Sequence, residues 1–207
     1  VAMLRVARSR TPALRLAAAQ ATSLPFATSA FDVVTASFVL SHLVEYDACL
    51  AEVRRLLKPG GRLAVTAWGP VEDAPSQEWS RLLAGVVSKE GIDAAVARVA
   101  PSEASFETPP GLERALTGAR FASVAVQVFQ VKSRLSVEQF ADDRALSSSG
   151  RYARHVLGEE EWRRFVVRAA DELHPPQILF RSRSFFPMSI FWISEVPSPI
   201  TSSGASR

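Results

Sequence analysis

The stretch QATSLPFATSAFDVVTASFVLSHL, residues 20–43, holds the spacing in this chain that most invites a chemical reading. Gln20 closes one apolar run, LRLAAAQ (14–20), and Ser37 closes the next, FDVVTAS (31–37), with Ser41 and His42 just beyond it. In open α/β sheets ligands gather outside the carboxyl ends of parallel strands, so polar residues at those ends are binding candidates. The Gln20 amide offers both a donor and an acceptor, against the plainer role of a loop polar residue. His42 is the one group here able to take a proton near neutral pH, as general base or substrate contact. Its competing role is to cap and pack at the start of a helix. Asp32 is read as fixing the turn into its strand rather than as a reactive group. His155 and His174 are expected at the surface and Trp162 and Trp192 in the core, while Trp68 ends a strand on the site face and is read as core or as a border of the substrate.

These residues need a scaffold, and the hydrophobic pattern supplies one. Residues 1–10 repeat apolar positions at helical spacing, with no start signal ahead of them. LRLAAAQ reads as a strand, and FDVVTAS as a stronger one, because its β-branched run suits a parallel strand covered on both faces. ATSLPFATSA between them is a loop. From Asp47 to Lys58 an apolar stripe of Leu50, Val53, Leu56 and Leu57 predicts a helix, with an acid in its first turn and Arg54, Arg55 and Lys58 in its last. Pro59-Gly60-Gly61 ends it and turns into the strand RLAVTAW (62–68), so the unit is strand, helix, strand and the sheet is parallel here. Beyond Trp68, helical patterns cover 77–89, 92–100 and 159–173, with irregular chain at 101–111. Alternation predicts strands at 122–131 and 188–196, and Ser136-Val137-Glu138-Gln139 is a capping box opening a helix toward Leu146.

Composition sets the limits. With 207 residues, 47% hydrophobic, the chain can bury one sizeable core, so residues 1–196 are expected to form one domain and 197–207 a disordered tail. The lone Cys49 allows no internal disulfide, and no Cys/His group has metal-ligand spacing. No apolar run approaches a membrane span and no signal-peptide order opens the chain, so a cytoplasmic protein is expected. The sequence pI is about 9.5, yet the net charge is only +3 and the arginines are scattered, which reads as a solvated surface rather than a nucleic-acid footprint.

Leu24-Pro25-Phe26, the strand entry Phe31-Asp32-Val33-Val34, Leu40 through His42-Leu43, and Leu57-Lys58-Pro59-Gly60-Gly61-Arg62-Leu63 stand in this order over about fifty residues. Together they resemble the core of class I S-adenosylmethionine-dependent methyltransferases, in particular the small-molecule branch that methylates ubiquinone and menaquinone precursors. The resemblance implies a Rossmann-like α/β sheet of family order 3-2-1-4-5-7-6, here lacking its first two strands, with an antiparallel C-terminal strand pair. It implies S-adenosylmethionine as cofactor and a small-molecule acceptor, with neither nucleic acid nor membrane as partner. By matching position, Gln20 and Ala21 would hold the adenine, with Leu24 or Phe26 as an apolar wall, while Ser37 and Phe38 would line the amino-acid end and His42 would be the base. Chain after Val71 would supply a lid over the substrate.

Two departures qualify the match. Gln20 stands where the family usually has an aspartate, and the chain contains no G-x-G, the loop that holds the cofactor's methionine part. The resemblance thus implies an N-terminally truncated enzyme whose 207 residues alone bind no cofactor and are poorly soluble or partly molten. The sheet must then either leave a gap or pair 14–20 against 31–37. The alternatives are a non-catalytic methyltransferase-like remnant serving as an interaction domain, which the genomic sequence ahead of Val1 would distinguish, and a nucleotide-dependent oxidoreductase, which the LPF to LKPGG series disfavours.

Overall fold

Two β-branched runs and the helix between them make the central unit. The structure, a computed structural model, describes residues 2–69, 74–129 and 135–173, together with the backbone of strand 188–195. Strand β1 (Phe31–Ser37) runs parallel to β2 (Leu57–Trp68), in register from Val33 opposite Arg62 to Ser37 opposite Thr66. Helix α2 (Tyr46–Leu56) crosses between them and buries Cys49, Leu50, Val53 and Leu56, the stripe its spacing predicts. The irregular stretch of β2 between Leu57 and Arg62 needs its glycines: Gly60 sits at φ +75°, and a Cβ on Gly61 would lie 2.8 Å from the Lys58 carbonyl oxygen and 3.2 Å from that of Asp32.

Strand β4 (Met188–Glu195) pairs antiparallel with the other edge of β2, and the short β3 (Gln127–Phe129) pairs antiparallel with β4. The order β1-β2-β4-β3 is that of the fourth, fifth, seventh and sixth strands of the implied sheet. β1 therefore forms one edge. Its second face is open as well: Val33 is 56% exposed and Thr35 and Ser37 are exposed. The expectation of a strand covered on both faces fails here because nothing among the described residues packs on that side.

Helix α1 (Ala2–Arg10) forms as the periodicity predicts but buries no residue. LRLAAAQ is not a strand; residues 14–19 have no regular structure, and Gln20 makes only an isolated bridge to Ser23. A strand exists by virtue of its partner, and Ala17-Ala18-Ala19 brings little intrinsic β preference to compensate for the absence of one. The expected alternative of 14–20 paired against 31–37 does not occur.

The remaining helices are α3 (Ala74–Ala84), α4 (Lys89–Val99), α5 (Glu103–Phe106), α6 (Pro109–Gly118), α7 (Val137–Ala145) and α8 (Ser148–Glu172). The pattern at 77–89 breaks before Ser88, whose side chain caps α4 by accepting from the Gly91 N–H at 3.1 Å. Chain expected to be irregular at 101–111 instead contains α5 and the start of α6, which Thr108 caps and which opens on two prolines. The Ser136–Gln139 capping box closes in both directions, at 3.2 and 3.0 Å. α8 begins well before the expected 159 and bends at Gly158, φ 77°.

Two cores result. One packs α2, α5 and α6 on β1 and β2, around Leu50, Leu63, Val65, Phe106 and Leu112. The other is helical and centres on Trp79, whose ring meets Phe140, Trp162 and Phe165 edge to face at 6.1, 6.3 and 5.3 Å. Trp162 is buried as expected and His155 is exposed. The 197–207 tail, His174 and the side chain of Trp192 lie outside the described residues, as do Val71 and the end of the 122–131 segment.

Candidate active site at the carboxyl ends of β1 and β2

At the end of β1 the chain turns sharply. Phe38 takes φ 54°, a left-handed conformation that costs a bulky L-residue on the order of 1 kcal/mol. Two contacts hold it there: its N–H donates to the Thr66 carbonyl at 2.9 Å, and its ring stacks on Trp68, with centroids 4.0 Å apart and planes inclined by 20°. Ser37 is left exposed as the last strand residue. Its parallel partner Thr66 shares the same sheet face, and the Thr66 hydroxyl is buried without a hydrogen-bond partner among the described residues. Asp32 sits at the opposite end of the strand, paired with Lys58 at 2.8 and 2.9 Å, in keeping with a role in fixing the turn.

His42 closes the 3-10 turn Leu40–His42. Its ring is exposed, and Nδ1 lies 2.7 Å from the Val99 carbonyl oxygen at the end of α4. A carbonyl can only accept, so Nδ1 carries the proton and the lone pair of the neutral ring is on Nε2. The turn is clamped from the α4–α5 connection: the Ser102 N–H donates to the Ser41 carbonyl at 3.1 Å, and the Ser102 hydroxyl to the Leu43 carbonyl at 2.7 Å. Burial pushes the neighbouring Glu103 carboxyl up, the charge of Glu107 adds to the shift, and His42 opposes it. Sequence reasoning missed Ser102 and Glu103. They stand some sixty positions from His42, and no local spacing announces the contact.

Gln20 and Ala21 belong to a separate loop. The Gln20 side chain is exposed, and its carbonyl accepts from the Ser23 N–H at 3.0 Å, while Ala21 packs half-buried against the sheet core. Neither the Gln20 amide nor the Ala21 N–H has a partner among the described residues. The loop is tied down further along by α2. Glu52 accepts the Leu24 N–H at 2.8 Å, and Arg55 reaches the Leu24 and Phe26 carbonyls at 3.3 and 3.0 Å and the Thr28 hydroxyl at 3.2 Å. The hydrogen bond from Arg55, with that from Leu24, holds the Glu52 carboxyl at about 2, well below its ordinary value. Among the described residues no hydrogen bond joins Gln20 or Ala21 to Ser37, Phe38 or His42. No group of three or more candidate metal ligands occurs among the described residues.

This geometry has relatives. Residues 1–65 match the family model for a methyltransferase domain. A demethylmenaquinone methyltransferase from Streptomyces avermitilis is 34% identical over 129 residues, covering 59% of this chain and 56% of that protein. A ubiquinone/menaquinone biosynthesis C-methyltransferase from Burkholderia vietnamiensis is 43% identical over 83 residues, covering 35% and 33% of the two chains. The match thus spans about half or less of the length of these relatives. In three dimensions the chain is similar to a Bacillus halodurans protein assigned as a methyltransferase, with a TM-score of 0.53 at 17% identity over 95% of this chain and 80% of that one, a likeness of fold. Residues 1–65 are thus similar to a methyltransferase domain, and the chain is similar over part of its length to a demethylmenaquinone methyltransferase and a ubiquinone/menaquinone biosynthesis C-methyltransferase.

Proposed function

We propose that this chain is part of an S-adenosylmethionine-dependent methyltransferase acting on a small-molecule acceptor, with the cofactor lying across the carboxyl ends of β1 and β2. The observation that carries the reading is a set of polar atoms without hydrogen-bond partners among the described residues: the Thr66 hydroxyl beside Ser37 at that end of the sheet, and the Gln20 amide and Ala21 N–H on the loop that precedes β1. Such atoms fit the adenine and amino-acid ends of the cofactor. The Gln20 carbonyl accepts from the adenine amino group, the Ala21 N–H donates to a ring nitrogen, and Leu24 or Phe26 walls the ring. The bend at Phe38 brings the Ser37 and Phe38 backbone up to the amino-acid end.

When bound, the cofactor supplies a methyl group already activated by its sulfonium. The chain's own task is to align the acceptor and keep water out. His42, its Nδ1–H spent on Val99, presents Nε2 to take a proton from an acceptor group that must lose one. The helical layer around Trp79 serves as the lid over the substrate. The names of the relatives, a demethylmenaquinone methyltransferase and a ubiquinone/menaquinone biosynthesis C-methyltransferase, support a small-molecule acceptor rather than a nucleic acid.

The test joins the N-terminal segment of the Streptomyces avermitilis relative ahead of Val1 and titrates S-adenosylmethionine into the chimera by calorimetry. Micromolar binding is expected, and Gln20→Ala weakens it by about 0.5–1.5 kcal/mol, the worth of one neutral hydrogen bond. Affinity unchanged by that substitution would falsify the adenine assignment. A chimera that binds no cofactor would favour a non-catalytic interaction domain.

A further inference from the structure

The amino end of the sheet, far from Ser37 and Phe38, carries a concavity of its own. It has a volume of about 790 Å³ and lies between the Thr28-Ser29 loop, one face of α2 from Asp47 to Arg55, the start of β2 and the end of α6. That is room for a ligand of nucleotide or headgroup size. Three arginines line it: Arg54, Arg55 and Arg120.

They are not equivalent. Arg55 is fully engaged with Glu52 and the 24–28 loop. Arg54 is half-buried, and its Nε is buried without a hydrogen-bond partner among the described residues. That atom is enclosed by protein rather than open to the groove, so any grip on a ligand falls to the terminal guanidinium nitrogens, which make no hydrogen bond among the described residues. Arg120 is exposed and has no side-chain partner among the described residues. It also stands at φ 63°, just past α6, where its N–H donates to the Thr117 carbonyl at 2.9 Å and the next N–H, of Phe121, to the Leu116 carbonyl at 3.2 Å. This is the helix-ending position that glycine takes at no steric cost. The chain instead holds a cation there, at the mouth of a groove that already contains an unpaired one.

The single acid on the groove wall, Asp47, stands seven residues before Arg54 on α2, roughly 10 Å away at about 1.5 Å per residue, and so does not neutralise the arginine end. Two unpaired guanidiniums flanked by the Thr28 and Ser29 hydroxyls match the donor-rich surroundings that phosphate oxygens require.

We propose that this groove binds a phosphate-bearing ligand, gripped by Arg54 and Arg120. The phosphate belongs either to a soluble compound or to a lipid headgroup. Calorimetric titration of the full chain with inorganic pyrophosphate at low salt, repeated on Arg54→Gln and Arg120→Gly, tests the site, and sedimentation with phosphatidylglycerol or phosphatidylcholine vesicles identifies the source. Saturable pyrophosphate binding is expected, weakened about tenfold by either substitution and progressively by added salt. Arg120→Gly relieves a strained backbone, so it melts no lower than the parent, and its lost binding cannot be ascribed to unfolding. Co-sedimentation with the anionic vesicles alone, abolished by the same substitutions, assigns the phosphate to a headgroup; pyrophosphate binding without it assigns the phosphate to a soluble compound. Failure of both probes to bind, or binding that survives the double substitution, overturns the proposal.

Discussion

Trp79 is 2% exposed at the centre of the helical core, yet its indole Nε1 is buried without a hydrogen-bond partner among the described residues. Two substitutions separate the opposing contributions. Trp79→Ala removes the whole ring and its three edge-to-face contacts, and a deletion of that kind costs about 3–5 kcal/mol. Trp79→Phe removes two ring carbons, roughly 1.5 kcal/mol of transfer free energy at about 0.8 per carbon. It also removes an orphaned N–H, whose burial costs about 1–3 kcal/mol. The two effects nearly cancel, so Trp79→Phe should lie within about 1 kcal/mol of the parent. Urea unfolding followed by circular dichroism measures both. With a slope near 2 kcal/mol/M, the alanine variant should unfold roughly 2 M earlier and the phenylalanine variant close to the parent. If phenylalanine costs as much as alanine, Nε1 has a partner and the reasoning fails.

Three further outcomes are expected. Because the Glu52 carboxyl is held near 2 against an ordinary 4.5, its contribution to stability is complete above pH 4.5 and is lost as pH falls toward 2. Glu52→Gln should flatten the acid dependence of amide exchange in residues 24–28, and an unchanged profile would show that another group anchors the loop. Ser136→Ala breaks the capping box and should lower stability by about 1 kcal/mol, read as a shift in the unfolding midpoint; no shift would mean that packing alone fixes the start of α7. Val33→Lys puts a charge on the open face of an edge strand and should raise the concentration at which the chain aggregates in light scattering, whereas equal aggregation would place the sticky surface elsewhere.

The parallel pair was legible because every signal for it is local. Val33-Val34-Thr35 favours a strand, the stripe of Leu50, Val53 and Leu56 sets a helix face, and a strand pattern follows, so strand, crossover and strand can be read without knowledge of the rest, although the helix stops at Leu56 and β2 begins at Leu57, ahead of Pro59-Gly60-Gly61. LRLAAAQ misled because apolar composition alone does not make a strand; hydrogen bonds to a neighbouring strand do, and among the described residues this segment makes none. The helix at Pro109 was missed although Thr108-Pro109-Pro110 is a sound start signal, a cap followed by prolines whose missing N–H groups a first turn does not need. In the candidate site, Gln20, Ser37 and His42 drew attention as polar residues following apolar runs. The Ser102 clamp and the buried Glu103 beside His42 arise from packing between distant elements, which no window along the chain reports. The Thr66 hydroxyl was hidden for a related reason: alternation puts it on one face of β2 but does not tell that the atom is enclosed there without a hydrogen-bond partner among the described residues.

The two strands that pair at the middle of the sheet, β2 and β4, are separated by more than a hundred residues, and the whole helical core lies in that interval. The entropy of closing so long a loop must be met before any β2–β4 hydrogen bond forms, and non-local pairing of this kind is slow. The helices around Trp79 all lie within that interval, so their contacts close shorter loops than the β2–β4 pairing does and can form first. Once assembled, they replace a floppy tether by a compact spacer whose two ends are held near one another. The layer proposed as a substrate cover thus also sets the order of folding: a substitution that loosens it should slow closure of the sheet, although the two share no core residue.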